Sequence, residues 1–163
     1  MIYCIVAVEQ GQGIGFDGQM PWPRLSGDMK WFKDVTTNNV VVMGSTTWKS
    51  IGCSQLPNRI NVVISATLQP GSNMTYIDPV IAIKELKERF AGKDIFIIGG
   101  QGLYDSTKHL VDVFYVTEIH KSYECDKFFD LDYVKENAVE INVLREFEAT
   151  DTTPAYTMKE YKL

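Results

Sequence analysis

Short apolar runs, each closed by glycine or polar residues, alternate along the chain with segments whose apolar residues recur every three or four positions. The runs predict buried strands and the spaced segments predict amphipathic helices. Ile2 to Val8, Val40 to Met43, Ile60 to Ser65, Met74 to Ile77, Asp94 to Ile98 and Val111 to Glu118 read as strands. The first is apolar almost throughout, as expected of a strand covered on both faces. Leu25, Met29, Phe32 and Val35 form one helical stripe, and Val80, Ile83, Leu86, Lys87 and Phe90 form another. Ser26 is expected to cap the first of these helices and Thr36 to Asn39 to end it. Asp78 caps the second, with Pro79 at its first position and Gly92 closing it. Ile141 to Phe147 and Tyr156 to Tyr161 follow with no helix between them, and are expected to pair as an antiparallel ribbon on the edge of a mainly parallel sheet. The pattern is that of an α/β protein with no repeat and no interdomain linker, so residues 1–163 are read as one domain.

The polar segments between these elements carry the candidate chemistry. Gly11, Gly13, Gly15 and Gly18 follow the first strand without opening a helix: Asp17-Gly18 is a turn signal and Pro21 comes next. A dinucleotide fingerprint needs a helix there, so this stretch reads as a flexible surface loop suited to covering a site. Pro21 and Pro23 stiffen the chain around Trp22, and Asp28 then falls in the first turn of the helix among Trp22, Met29, Trp31 and Phe32. A carboxylate among apolar groups is costly unless something hydrogen-bonds to it, although a first-turn acid is also favoured by the helix dipole. Gly44 to Ile51 reads as a turn into a short helix with a hydroxyl-rich start, suited either to an anion or to simple capping. Gly99-Gly100 ends a buried strand and opens another helix, which suits phosphate groups or close packing equally well.

Composition narrows the function classes. The net charge of -5 and the absence of a basic run give no sign of a nucleic-acid or membrane-surface partner. The apolar opening is too short for a membrane span and lacks signal-peptide features. Cys4, Cys53 and Cys125 are too few and too scattered for a disulfide framework or a zinc site, which fits a reducing cytoplasm. His109 and His120 lack metal-ligand spacing, and Asp126, Asp130 and Asp132 lack the pattern of a calcium loop and are expected to be solvated. No nucleophile motif appears. One carboxylate and two phosphate-suited helix starts fit a reaction whose difficult step a bound cofactor performs.

Taken in order, these stretches closely resemble dihydrofolate reductase along nearly the whole chain. The resemblance rests on Ala7, Ile14-Gly15, Met20-Pro21-Trp22, Asp28 with Trp31-Phe32, and Met43-Gly44 with Thr47-Trp48. Ser50-Ile51-Gly52, Leu56-Pro57-x-Arg59, Ile98-Gly99-Gly100, Tyr104 and Tyr115-Val116-Thr117 complete it. It implies a central eight-stranded, mostly parallel sheet with an antiparallel C-terminal edge, flanked by helices. It also implies reduction of 7,8-dihydrofolate to tetrahydrofolate by hydride from NADPH, supplying one-carbon and thymidylate metabolism in the cytoplasm. The expected partners are dihydrofolate and antifolate-type inhibitors, with no nucleic acid and no membrane, and the expected state is a monomer.

The resemblance assigns roles residue by residue. Asp28 accepts hydrogen bonds from the pterin, Thr117 buttresses it, and Met20 and Trp22 belong to the loop that gates the proton. Ile5, Met29, Phe32, Ile51 and Ile98 wall the substrate, Arg59 pairs with the glutamate tail, and Lys33 assists. Ala7, Ile14 and Gly15 lie at the nicotinamide. Gly44, Ser45, Thr46, Thr47 and Ser65 meet the cofactor from one side, and Gly99, Gly100, Gln101, Gly102, Leu103 and Tyr104 from the other. A cis bond is implied between Gly99 and Gly100. Ser45 and Thr46 stand where many members are basic or polar, and Ala66 replaces a frequent hydroxyl. The 2′-phosphate site is therefore atypical, and NADH becomes an alternative donor. A flavin-pathway reductase of the same fold and a pteridine-binding protein without turnover are competing readings. Asp28 and Arg59 speak against the first, and the intact pocket against the second.

Overall fold

The computed structural model describes residues 1–163. Its strands are β1 (Ile2–Val8), β2 (Gly13–Gly15), β3 (Val40–Gly44), β4 (Ile60–Ile64), β5 (Met74–Tyr76), β6 (Ile95–Ile97), β7 (Val113–Ile119), β8 (Lys127–Phe128), β9 (Glu140–Phe147) and β10 (Tyr156–Lys162). Its helices are α1 (Ser26–Thr36), α2 (Ser45–Ser50), α3 (Pro79–Arg89), α4 (Gln101–Thr107) and α5 (Leu131–Asn137). Eight strands form one sheet in the order β5-β4-β3-β6-β1-β7-β10-β9, parallel up to β7 and antiparallel from there to the edge. The expected architecture and its C-terminal ribbon are present.

Side chains alternate across a strand, and both faces of the central strands are covered. Val40 and Val42 of β3 pack with Ile83, Leu86, Leu103 and Val134, the face of α3, α4 and α5. Val41 and Met43 point the other way and pack with Trp48, Val63 and Phe96, beside Phe32 and Val35 of α1. This accounts for the uninterrupted apolar runs. Asp78 caps α3 as expected, its Oδ1 accepting the Ile81 N–H at 2.9 Å.

Several local expectations are corrected. Leu25, and not Ser26, occupies the cap position of α1, and no side chain caps that helix. Gly27 leaves space over the first turn instead: a Cβ there would stand 2.5 Å from the Tyr156 hydroxyl and 2.7 Å from the Phe147 ring. Gly92 does not close α3, whose C-terminal cap position is Phe90. Asp126, Asp130 and Asp132 are exposed, as expected, and each also makes a contact. Asp130 caps α5, a helix the apolar pattern did not announce, and pairs with Lys108 at 2.9 Å. Asp126 accepts the Asp17 N–H and Asp132 accepts from Gln12, both at 3.0 Å. Through these contacts the 9–19 stretch is pinned and is not a free surface loop. It contains β2, which pairs with β8 to form a second, two-stranded sheet.

Candidate active site

In a parallel α/β sheet ligands lie beyond the carboxyl ends of the strands, where the chain turns from strand to helix. Here the ends of β3 and β6 are bonded together: the Gly44 N–H donates to the Gly99 carbonyl at 2.8 Å. The helices that start at these points, α2 and α4, have glycines in their cap positions and no side-chain cap. Their first N–H groups are therefore left for another partner. The Thr47 hydroxyl stands between them, 3.5 Å and 3.8 Å from where Cβ atoms would project at Gly99 and Gly100. A Cβ at Gly102 would meet nothing within 4 Å, so this surface is open. An open glycine-rich cradle with free N–H groups and a hydroxyl is chemistry that fits phosphates. The Gly99–Gly100 peptide is cis, as the resemblance implied.

On the other side of β1, α1 carries Asp28 in its first turn. The Thr117 hydroxyl of β7 donates to Asp28 Oδ1 at 2.6 Å. No protein group bonds to the other carboxylate oxygen. Burial raises the Asp28 pKa above the ordinary aspartate value, against a smaller lowering from Thr117. Thr117 is the register partner of Ala7 on β1. The carboxylate is thus tied to the strand immediately beside Ala7. Met29 is exposed, whereas Phe32, Ile51 and Ile98 are half-buried against the cluster around Met43 and Trp48, so these apolar side chains remain partly open to a ligand. Ile5 is buried in the same cluster as Met43 and Trp48.

At the far end of α1, Arg59 is held in place. Its Nε donates to the Pro57 carbonyl at 3.0 Å and its Nη1 to the Thr36 hydroxyl at 3.1 Å. Thr36 is itself fixed by donating to the Phe32 carbonyl at 2.6 Å. The guanidinium lies 5.9 Å from the Phe32 ring centroid, and partial burial lowers its pKa while leaving it a cation. Its remaining N–H groups are unclaimed, which suits a carboxylate ligand.

A family model for dihydrofolate reductase matches residues 1–162. The chain is 36% identical to dihydrofolate reductase type 9 of Escherichia coli over 138 residues, covering 80% of this chain and 77% of that protein. It is 35% identical to the dihydrofolate reductase of Bacillus subtilis over 130 residues (79% and 75%), and 34% identical to that of Mus musculus over 145 residues (77% and 76%).

The chain belongs to the dihydrofolate reductase family. Its activity is the reduction of dihydrofolate to tetrahydrofolate, and NADPH is the general cofactor of dihydrofolate reductases.

Other dihydrofolate reductase positions named from the sequence fall as follows. Trp22 is buried against Leu25, Ile119 and Met158, with its ring edge-on to Tyr123 at 6.1 Å. Met20 is 63% exposed at the outer end of its loop. Ile14 is half-buried against the core, and Gly15 is half-buried in β2. Tyr104 is buried and donates to the Ile5 carbonyl at 2.9 Å, so it supports β1 from beneath. Leu103 is a core residue. The Gln101 side chain is already engaged, accepting the Phe128 N–H at 2.8 Å. Lys33 and Thr46 are exposed, and Ser45 is half-buried. The Ser65 hydroxyl accepts from the Gln69 side chain at 3.2 Å.

Sequence reasoning missed Asn61. Its side chain is fully buried in β4 and accepts the Leu56 N–H at 2.9 Å. It also donates to the Leu56 and Arg59 carbonyls, each at 3.0 Å. It therefore shapes the turn that presents Arg59. The signal was present: a lone amide inside an otherwise apolar strand. Asn61→Ala strands three backbone groups and is expected to destabilise the fold by about 3 kcal/mol. It is also expected to raise KM for dihydrofolate more than it lowers kcat. Chemical denaturation and steady-state kinetics check both.

Proposed function

We propose that Asp28 is the residue that orients the pterin. The observation that carries this is the 2.6 Å hydrogen bond from Thr117 to one oxygen of a largely buried carboxylate, whose other oxygen has no protein partner. A pterin offers N3–H and a 2-amino group side by side, a donor pair matched to a carboxylate. That contact fixes the ring and favours protonation at N5, so that C6 can accept hydride. The proton arrives by water, because the carboxylate is engaged at the other end of the ring. Met20 and Trp22 border the loop that controls this access. Ile5, Met29, Phe32, Ile51 and Ile98 hold the ring and its substituent, while Arg59 receives the tail carboxylate and Lys33 assists.

The reduced nicotinamide, when bound, supplies the hydride. Ala7, Ile14 and Gly15 form the wall it meets. Gly44, Thr47, Gly99, Gly100, Gly102 and the backbone of Gln101 to Tyr104 hold its phosphates. Because Ala7 and Thr117 are register partners, the two reactants meet across one pair of adjacent strands. The enzyme acts as a single-domain monomer in a reducing cytoplasm, consistent with three free cysteines. No helix is long and apolar enough to cross a membrane.

The adenosine end is weakly charged. Ser45, Thr46 and Ser65 are neutral, and Lys108 is committed to Asp130. One missing charge-assisted hydrogen bond costs about 1.5–3 kcal/mol, roughly one to two decades of discrimination. The ratio of kcat/KM for NADPH over NADH is therefore expected to be small for the family. Absorbance assays with each donor in parallel measure it, and a strong NADPH preference would assign the 2′-phosphate charge to another residue such as Lys49.

A further inference from the structure

Glu9 has no part in the chemistry above, yet its carboxylate is among the most buried charged groups of the protein. The residue is 5% exposed, and no lysine or arginine lies within ion-pairing distance. Two backbone groups compensate it instead. The Gly13 N–H donates to Oε2, and the Tyr123 N–H donates to Oε1 at 3.3 Å. One oxygen thus holds the stretch that enters β2, and the other holds the turn between β7 and β8. Gly13 is also the residue of β2 that pairs with Phe128. It is packed closely: a Cβ there would stand 2.5 Å from the Cys125 Cβ and 2.8 Å from Glu9 Oε2. The other links between these segments are backbone bonds or exposed side chains, including Asp126 N–H to Gly15 and Ser122 to Gln10. Glu9 is the buried, charged link.

We propose that Glu9 is a positioning residue for hydride transfer. Its carboxylate fastens the segment bearing Ile14 and Gly15 to the Tyr123 turn, and so fixes the wall that the nicotinamide meets. The inference rests on reading Ala7, Ile14 and Gly15 as that wall. Its physical basis is the number of acceptors. A buried charge is tolerated only when hydrogen-bonded, and bonds to a carboxylate are about twice as strong as neutral ones. Glutamate accepts with both oxygens at once. Glutamine has the same shape but only one acceptor oxygen, so its NH₂ would face an N–H donor and one link would be lost.

Glu9→Gln and Glu9→Ala test this, with Ser122→Ala, which removes only an exposed link, as the control. Amide hydrogen exchange is followed at Gly13 and Tyr123, alongside kcat and KM for each substrate. In Glu9→Gln, exchange is expected to accelerate more than about tenfold at whichever of those two amides loses its acceptor, the consequence of losing one charge-assisted bond. Amides of β3 should keep their wild-type protection. KM for NADPH should rise several-fold while KM for dihydrofolate holds, and Glu9→Ala should do more in the same direction. Gly13→Ala, which pushes against Glu9 and Cys125 from the opposite side, should reproduce the pattern if Glu9→Ala does not fold. Unchanged exchange at Gly13 and Tyr123 in Glu9→Gln overturns the clamp. Faster exchange with unaltered kinetics overturns the positioning role. Faster exchange with a shift in KM for dihydrofolate alone overturns the reading of that wall.

Discussion

Asp28→Asn is expected to lower kcat at neutral pH by about 10²- to 10³-fold, the range associated with losing one preorganised electrostatic contact. The carboxylamide keeps the shape and can still accept from Thr117, so the fold is retained. What is lost is a negative charge beside the pterin's donor pair, and with it the preference for a protonated ring. The same substitution should stabilise the ligand-free protein. Burial raises the Asp28 pKa in the folded state. A raised pKa means that the stabilising contribution is complete below the ordinary aspartate value and is lost as pH rises through the folded-state value. At pH 7 the ionised carboxylate therefore costs stability, and the Asn variant does not carry that cost. Asp28→Asn should melt higher than wild type at pH 7, with the gap closing as pH falls toward the ordinary carboxylate range. Scanning calorimetry across pH and steady-state kinetics check the two halves. Near-normal kcat at neutral pH would remove Asp28 from its role.

Arg59→Leu carries the second large effect. The guanidinium is already oriented by Pro57 and Thr36, so little is left to order when a carboxylate arrives. Losing charge-assisted hydrogen bonds of about 1.5–3 kcal/mol each should raise KM for dihydrofolate by about 10- to 100-fold. kcat should stay within a few-fold, because the tail lies away from the reacting atoms. A folate analogue lacking the glutamate should bind wild type and Arg59→Leu alike. Equal KM for dihydrofolate in the two proteins would place the tail elsewhere.

The sheet was legible because its central strands are buried on both faces, which leaves unbroken apolar runs at Val40–Met43 and Val62–Ile64. The cap of α3 was legible because Asp78-Pro79 is a local device that acts on its own neighbours. Helix α5 was not, because it is short and its apolar face is only Leu131 and Val134. The start of α1 was misread because no local side chain caps it. Tyr156 and Phe147, far along the chain, occupy that space. The pinned 9–19 stretch was misread for the same reason: its partners lie beyond residue 120, and glycines that suggest freedom instead admit close neighbours. At the site, Asp28 and Arg59 stood out as charges in apolar or turn contexts. Of their supports, Thr117 was named only through the resemblance, and Thr36 and Asn61 became clear once segments distant in sequence lay side by side.

The Asp28 carboxylate, held by Thr117, prepares the pterin for hydride transfer. Single-turnover hydride transfer, measured across pH for wild type and Asp28→Asn with both substrates saturating, tests it most directly. Wild type is expected to retain its rate into neutral pH, whereas Asp28→Asn is slow there and recovers as acid protonates the substrate from solution. Superimposable pH profiles for the two proteins would contradict it.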